Sequence, residues 1–234
     1  MDRLDKAAAH AFSLSRKEAK AVIRGGKVTV DGAVLTDETV KVSEDAVLTF
    51  GGQTVGRKAN HYYMMHKPAG LLTASRDASR QTVVDLLPPE KRRDIFPVGR
   101  LDKDTTGLLL LTDDGGWAHR LVSPRHHVAK RYTVTLDGSV NETVIEAFRQ
   151  GVTLADGETC KPAELILTEE PTVVTVVLRE GKYHQIKRMF GVFGLGVNAL
   201  SRDRIGHLCL DDTLKPGEWR ELTEAEILLA EELK

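Results

Sequence analysis

The chain is poor in the residues that mark several common kinds of protein. Two cysteines, Cys160 and Cys209, in 234 residues cannot build a disulfide framework. No Cys/His cluster has the spacing of a zinc site, so a reducing, cytoplasmic setting is expected. No apolar run approaches the roughly 20 residues of a membrane span. The N-terminal MDRLDKAAAHAF has neither the apolar stretch nor the cleavage site of an export signal. Aromatic residues are 5% of the chain, and its two tryptophans, Trp117 and Trp219, offer no evident stack of sugar platforms. Neither a heptad pattern nor an apolar patch suggests obligate pairing, and a monomer is expected.

An excess of positive charge is also missing, since the net charge is -1, which taken alone argues against a nucleic-acid partner. The distribution reverses that reading. Residues 211 to 234 hold eight acids and three bases, a net -5, which leaves +4 on residues 1 to 210. A basic body carries an acidic tail. With 41% hydrophobic and 29% charged residues, the chain has enough apolar side chain for a globular core.

The first 50 residues read as a small module. Ser15 and Glu18 form a capping-box signature for a helix that should stop at Gly25-Gly26. GKVTVDGAVL then alternates into an Asp31-Gly32 turn, a strong hairpin signal, with strands expected at Val40 to Val42 and Ala46 to Phe50. Seven bases stand against three acids in residues 1 to 30. Arg16, Lys17, Lys20 and Arg24 fall on one side of the helix, with Arg3 before it, either as a solvated face or as one that tracks phosphates. The string SRKEAKAVIRGGKVTVDG resembles the S4-type RNA-binding module, with its G-x-V-x-V-(N/D)-G hairpin. The resemblance implies an RNA-docking domain over residues 1–50, followed by a linker at 51–60.

Beyond it the pattern is one of strands with interspersed helices. Strands are expected at His61 to Met65, Phe96 to Val98, Leu108 to Thr112, Tyr132 to Leu136, Ala163 to Thr168 and Val173 to Arg179. Helices are expected at Gly116 to Val122, Glu142 to Gln150, Tyr183 to Phe193 and Glu224 to Leu233, the last opened by a capping box of Thr223 and Glu226. The elements do not alternate strictly, so residues 61–234 should form an α+β domain on a mixed, mainly antiparallel sheet with flanking helices.

The chemistry centres on GRLDKDTTGLLLLTDDG, residues 99 to 115. Leu108 to Leu111 read as a strand covered on both faces, which would hold the residues before it at the edge of a core. On an extended chain Asp102 and Asp104 would share one face at a separation of roughly 6 to 7 Å. Such a pair suits two-carboxylate glycoside chemistry, Mg²⁺ held against a phosphate, or a turn capped beside Thr105, Thr106 and Gly107. A second basic stretch, EGKYHQIKRMFGVFG, places Ile186, Met189, Phe190 and Phe193 at core spacing and His184, Lys187 and Arg188 on another side of the helix. In SPRHHVAKRYTVTL, Arg125, His126, His127, Lys130 and Arg131 form a basic loop before Tyr132 opens a strand.

GRLDKDTTGLLLLT closely resembles the catalytic motif of pseudouridine synthases, G-R-L-D-x-x-T-x-G-L-L-(L/I)-x-T. The string at 180–194 is similar to that family's E-G-x-x-H-Q-(V/I)-(K/R)-R-M, and HKPAG at 66–70 to its K-P-x-G loop. The resemblance implies an enzyme that isomerises uridine to pseudouridine in RNA with no metal or cofactor. It makes Asp102 the one required acid, Asp104 a turn residue, Lys187 the basic partner of Asp102 (Arg188 second), and Tyr132 the platform for the target base. Arg100, His184, Gln185, Arg188, Arg125 and Lys130 become candidate substrate contacts. SPRHH together with HQIKRMF most resembles the RsuA family, the branch that modifies one uridine of 16S rRNA. That implies 16S rRNA or the assembling small ribosomal subunit as partner.

Overall fold

A computed structural model describes residues 1–43, 46–56, 60–123, 126 and 128–231. The chain divides into two compact units, Met1–Asn60 and His61–Lys234. Among the described residues no helix is long and apolar enough to cross a membrane.

In the first unit β1 (Asp2–Arg3) leads into α1 (Leu4–Phe12) and α2 (Arg16–Arg24), followed by β2 (Val28–Val30), β3 (Ala33–Val34), β4 (Lys41–Val42), β5 (Val47–Phe50) and β6 (Gln53–Gly56). The capping box at α2 is complete: Ser15 Oγ accepts from Glu18 N, and Glu18 returns a carboxylate to Ser15 N at 2.7 Å. Strands β3, β2, β5 and β6 form an antiparallel sheet in that order, and β1 pairs with β4. Leu4, Ala8, Ala19, Ile23, Val28 and Leu48 make the core. Residues 53–56, expected as linker, instead form a strand in register with β5, Thr49 facing Thr54. Their short sequence reads as a linker because a single apolar residue, Val55, stands among Gln53, Thr54 and Gly56, while the pairing comes from backbone groups.

The second unit is built on a nine-stranded sheet. Its main path runs β11 (Glu164–Leu167), β12 (Val173–Leu178), β10 (Lys130–Leu136), β13 (Val197–Ile205), β9 (Thr106–Thr112), β7 (Tyr62–Lys67) and β15 (Trp219–Glu221); β14 (Leu208–Cys209) joins β13 and β8 (Phe96–Pro97) joins β9. All pairs are antiparallel except β13 with β9. Helices α3 (Gly115–Val122), α4 (Glu142–Gln150), α5 (Gln185–Gly191) and α6 (Glu224–Glu231) flank it. The architecture is α+β with a mixed, mainly antiparallel sheet, as expected.

The leucine run explains why this sheet has two cores. Successive side chains of a strand point to opposite faces, so Leu109 and Leu111 enter one core with Tyr132, Val134, Phe148 and Phe190. Leu108 and Leu110 enter the other with Met64, Trp117, Leu121 and Ile205. All four leucines are fully buried. At about 25 cal/mol per Å² of apolar surface, each contributes on the order of 2 kcal/mol. The residues just before β9 are thereby anchored to the most buried strand of the sheet. Gly107 is what lets β9 approach β13: its φ is 99°, and a Cβ there would lie 2.2 Å from the Arg202 carbonyl oxygen.

Candidate active site

Asp102 does not extend β9. The Thr105 amide donates to the Asp102 carbonyl at 3.1 Å, so residues 102–105 close a turn and β9 begins at Thr106. The extended spacing expected of Asp102 and Asp104 therefore does not hold, because the chain bends at the pair.

This turn is held from below by the H-K-P-A-G segment at the end of β7. Lys67 is fully buried, and its ammonium donates to the carbonyls of Pro68 (3.0 Å), Lys103 (3.2 Å) and Thr105 (2.9 Å). Burial brings Lys67 down to about 8, against the opposing pull of Asp104 and Asp102. Gly70 N donates to the Lys103 carbonyl at 2.7 Å. The buried Thr73 hydroxyl donates to the Leu101 carbonyl at 2.7 Å. Four backbone carbonyls of residues 68–105 are thus satisfied by two buried side chains, and the acid-bearing turn is fixed from both ends. Thr73 is absent from the sequence expectations, because an isolated Thr in a loop carries no pattern.

The two carboxylates of the turn have different neighbours. Lys187 was expected beside Asp102, but its ammonium lies 2.5 Å from Asp104 Oδ2. That hydrogen bond holds the Asp104 carboxyl below its usual range in spite of partial burial. Asp102 instead has His184 beside it, with Nε2 at 3.5 Å from Oδ1. Asp102 keeps 28% of its side-chain surface exposed and Asp104 70%. The turn therefore presents a solvent-exposed Asp104 bonded to a lysine and a more deeply set Asp102 beside a histidine. The sequence spacing of two cannot tell which acid a lysine on another element will meet.

The other expected residues separate into two groups. Arg100 is exposed directly before the turn. Tyr132, 9% exposed, faces Arg202 across the β10–β13 ladder, and Arg202 in turn pairs with Gly107 on β9, so one strand separates the tyrosine from the strand that follows Asp102. Lys130, by contrast, turns inward: its ammonium donates to Val128 O at 3.1 Å and Leu121 O at 3.4 Å, and burial, reinforced by Arg202, lowers it to about 8. Gln185 is spent on the fold, accepting from Lys182 N at 2.9 Å and donating to Glu180 Oε1 at 2.8 Å. Arg188 is paired with Asp156 and Glu158. Arg125 and His127 lie outside the described residues.

The basic face of the first unit forms, with acids built into it. Arg16, Lys17 and Arg24 are exposed on α2 and Lys20 is half-buried. The buried Asp5 accepts from Arg16 Nη2 at 2.8 Å and Arg3 Nε at 3.2 Å, with Lys20 at 3.8 Å. Arg24 pairs with Glu38 and holds it at about 2.

Comparison with known proteins agrees with this division. Residues 61–191 match the family model described as RNA pseudouridylate synthase, and residues 2–48 match that of the S4 domain. A protein of Bacillus subtilis (strain 168) named as the uncharacterized RNA pseudouridine synthase YtzG is 46% identical over 235 residues, covering 98% of each chain. Ribosomal small subunit pseudouridine synthase A of Escherichia coli (strain K12) is 42% identical over 228 residues, 96% of this chain and 98% of that one. The protein of the same name from Vibrio cholerae is 42% identical over 226 residues, 96% of this chain and 97% of that one. A crystal structure of a pseudouridylate synthase superposes with a TM-score of 0.71 at 36% identity, covering 98% of this chain and 100% of that one. Full-length similarity, the intact R-L-D turn and the leading S4 module converge: the chain belongs to the RNA pseudouridylate synthase family.

Proposed function

We propose that this enzyme converts one uridine of 16S rRNA to pseudouridine, on free rRNA or on the assembling small subunit, with Asp102 as its single reacting acid. The observation that carries the reading is the placement of Asp102, partly buried beside His184 on a turn fixed by Lys67 and Thr73, while its neighbour Asp104 is taken up by Lys187. The names of the full-length relatives support the small-subunit substrate.

The isomerisation breaks the bond from N1 to C1′, turns the uracil, and forms a bond from C5 to C1′; C5 loses a proton and N1 gains one, with no change of oxidation state. A carboxylate starts this either by attacking C1′ or by removing the C2′ proton. Both routes need an acid held against the sugar, and Asp102 stands on the fixed turn with His184 Nε2 at 3.5 Å from its Oδ1. The uridine must leave its stack to reach the acid, and Tyr132 is assigned the face that packs against the base. Arg100, exposed before the turn, is assigned a contact to a phosphate or a base of the RNA. The S4 unit docks the RNA through Arg3, Arg16, Lys17, Lys20 and Arg24. The enzyme acts as a monomer in the cytoplasm, where its substrate is assembled.

Pseudouridine mapping of 16S and 23S rRNA after incubation with the protein, on naked RNA and on partly assembled small subunits, tests the substrate. One new site in 16S rRNA is expected. A site only in 23S rRNA contradicts the substrate assignment, and binding without any new pseudouridine contradicts the activity.

A further inference from the structure

Adjacent side chains of an extended chain point to opposite sides, so neighbouring aromatic rings stack only where the backbone turns. It turns just before α5, where His184 adopts the left-handed conformation, φ 46° and ψ 37°. The Tyr183 and His184 rings lie 3.9 Å apart, centroid to centroid, and 16° from parallel. His184 is the inner ring, reaching to 3.5 Å from Asp102. Tyr183 is the outer ring and leaves 75% of its surface to solvent, while every other Phe, Tyr and Trp is at least partly buried.

The turn that presents this ring is fixed. The Tyr183 carbonyl accepts from Arg188 Nη1 at 3.3 Å, and Arg188 is itself tied to Asp156 and Glu158. On the other side the Lys182 amide is held by Gln185 at 2.9 Å, and the Lys182 ammonium by Glu158 at 2.8 Å. An exposed aromatic face on a hydrogen-bonded turn, one ring away from the carboxylate assigned to the reaction, contributes nothing to the core. It offers what an unpaired base requires.

We infer that the Tyr183–His184 stack is a subsite for the unpaired base next to the target uridine, which adds a third ring to it. The inference rests on the functional reading above, since it needs RNA in this site. Taking a uridine out of its stack leaves the neighbouring base without one partner, and Tyr183 replaces that partner. Because the stack holds the neighbour and not the reacting base, its loss weakens the ground state and the transition state equally and appears in KM.

The experiment uses a 16S rRNA fragment containing the modified uridine, and the same fragment made abasic at the 5′ or at the 3′ neighbour. Wild type, Tyr183→Phe and Tyr183→Ala are compared on each. Base stacking on an aromatic ring is worth about tenfold or more in binding. Tyr183→Ala should raise KM about tenfold with kcat within about twofold of wild type, and Tyr183→Phe should keep the wild-type KM. On the RNA abasic at one of the two neighbours, the gap between wild type and Tyr183→Ala should close. An unchanged KM for Tyr183→Ala, a Tyr183→Phe as impaired as Tyr183→Ala, or a gap that persists on both abasic RNAs overturns the subsite while leaving the activity standing. Absence of pseudouridine with wild type overturns the functional reading and the subsite together.

Discussion

Two carboxylates of this chain lie among basic side chains, and their surroundings are opposite. Asp5, in the first unit, is fully buried and accepts from both Arg16 and Arg3. Burial pushes its pKa up, yet the hydrogen bonds from the two arginines outweigh burial and hold it below the usual range. Asp102, in the second unit, has His184 at 3.5 Å, and the lysine able to neutralise it sits on Asp104. A carboxylate whose lone pairs are spent on arginines organises a fold. Among the described residues Asp102 has no arginine on it, and it stands on a turn held by buried Lys67 and Thr73, the placement a reacting acid needs.

Removing each charge without changing its shape separates the two carboxylates most strongly. Asp102→Asn should lower pseudouridine formation at least about a thousandfold, because no other group replaces the acid. Its urea unfolding midpoint should match wild type, since Asp102 holds little of the fold. A variant that loses stability in step with activity would show that Asp102 is structural as well.

Next in size is a change to the scaffold beneath Asp102. Gly107→Ala sets a Cβ 2.2 Å from the Arg202 carbonyl at a φ of 99°. A clash with backbone cannot be relieved by a rotamer change, and the expected loss is about 3 kcal/mol by urea unfolding. Wild-type stability in this variant would mean that the β9–β13 contact does not hold the turn.

Asp5→Asn is the counterpart in the first unit. It should cost about 2 kcal/mol, less than a deeply buried ion pair, because Arg3 and Arg16 are roughly half exposed and recover some hydration. Its kcat should be unchanged. A fall in kcat would erase the distinction between the two carboxylates.

The smallest effect is in the pH dependence of stability. Lys67 titrates at about 8 when folded and near 10.5 when free. Between those values the unfolded chain keeps a proton that the folded chain has lost, so this group makes stability rise with pH across that window. The slope is on the order of 1 kcal/mol per pH unit. Lys67→Met should flatten it in urea titrations at pH 8 and above, with Lys130, also at about 8, retaining its own share. An equal slope in the variant would show that Lys67 is not the titrating group.

Where one physical signal dominated, the fold was legible. The run at Leu108 to Leu111 and the α4 span Glu142–Gln150 follow from burial and periodicity, and both capping boxes form, Thr223 with Glu226 as well as Ser15 with Glu18. Strand β13, central to the sheet, was not. Its sequence VNALSRDRI carries three charges where a buried strand should be apolar, and one of them, Arg202, is buried with its Nε donating to the Leu108 carbonyl beside the β9–β13 contact. That carbonyl exists only in the folded sheet. Similarly, the R-L-D string singles out Asp102 by resemblance, but which carboxylate Lys187 meets depends on contacts between residues 83 positions apart. Tyr183 carries no periodic signal; its meaning comes from a left-handed turn at the next residue.

The most direct test of the central claim sets the two neighbouring acids side by side. Pseudouridine formation on 16S rRNA is timed with wild type, Asp102→Asn and Asp104→Asn. One shared site is expected, formed by Asp104→Asn within about fivefold of the wild-type rate, as for loss of an exposed ion pair, and not formed by Asp102→Asn. Equal loss in both variants would make the carboxylates a working pair and contradict the assignment of Asp102 as the single acid.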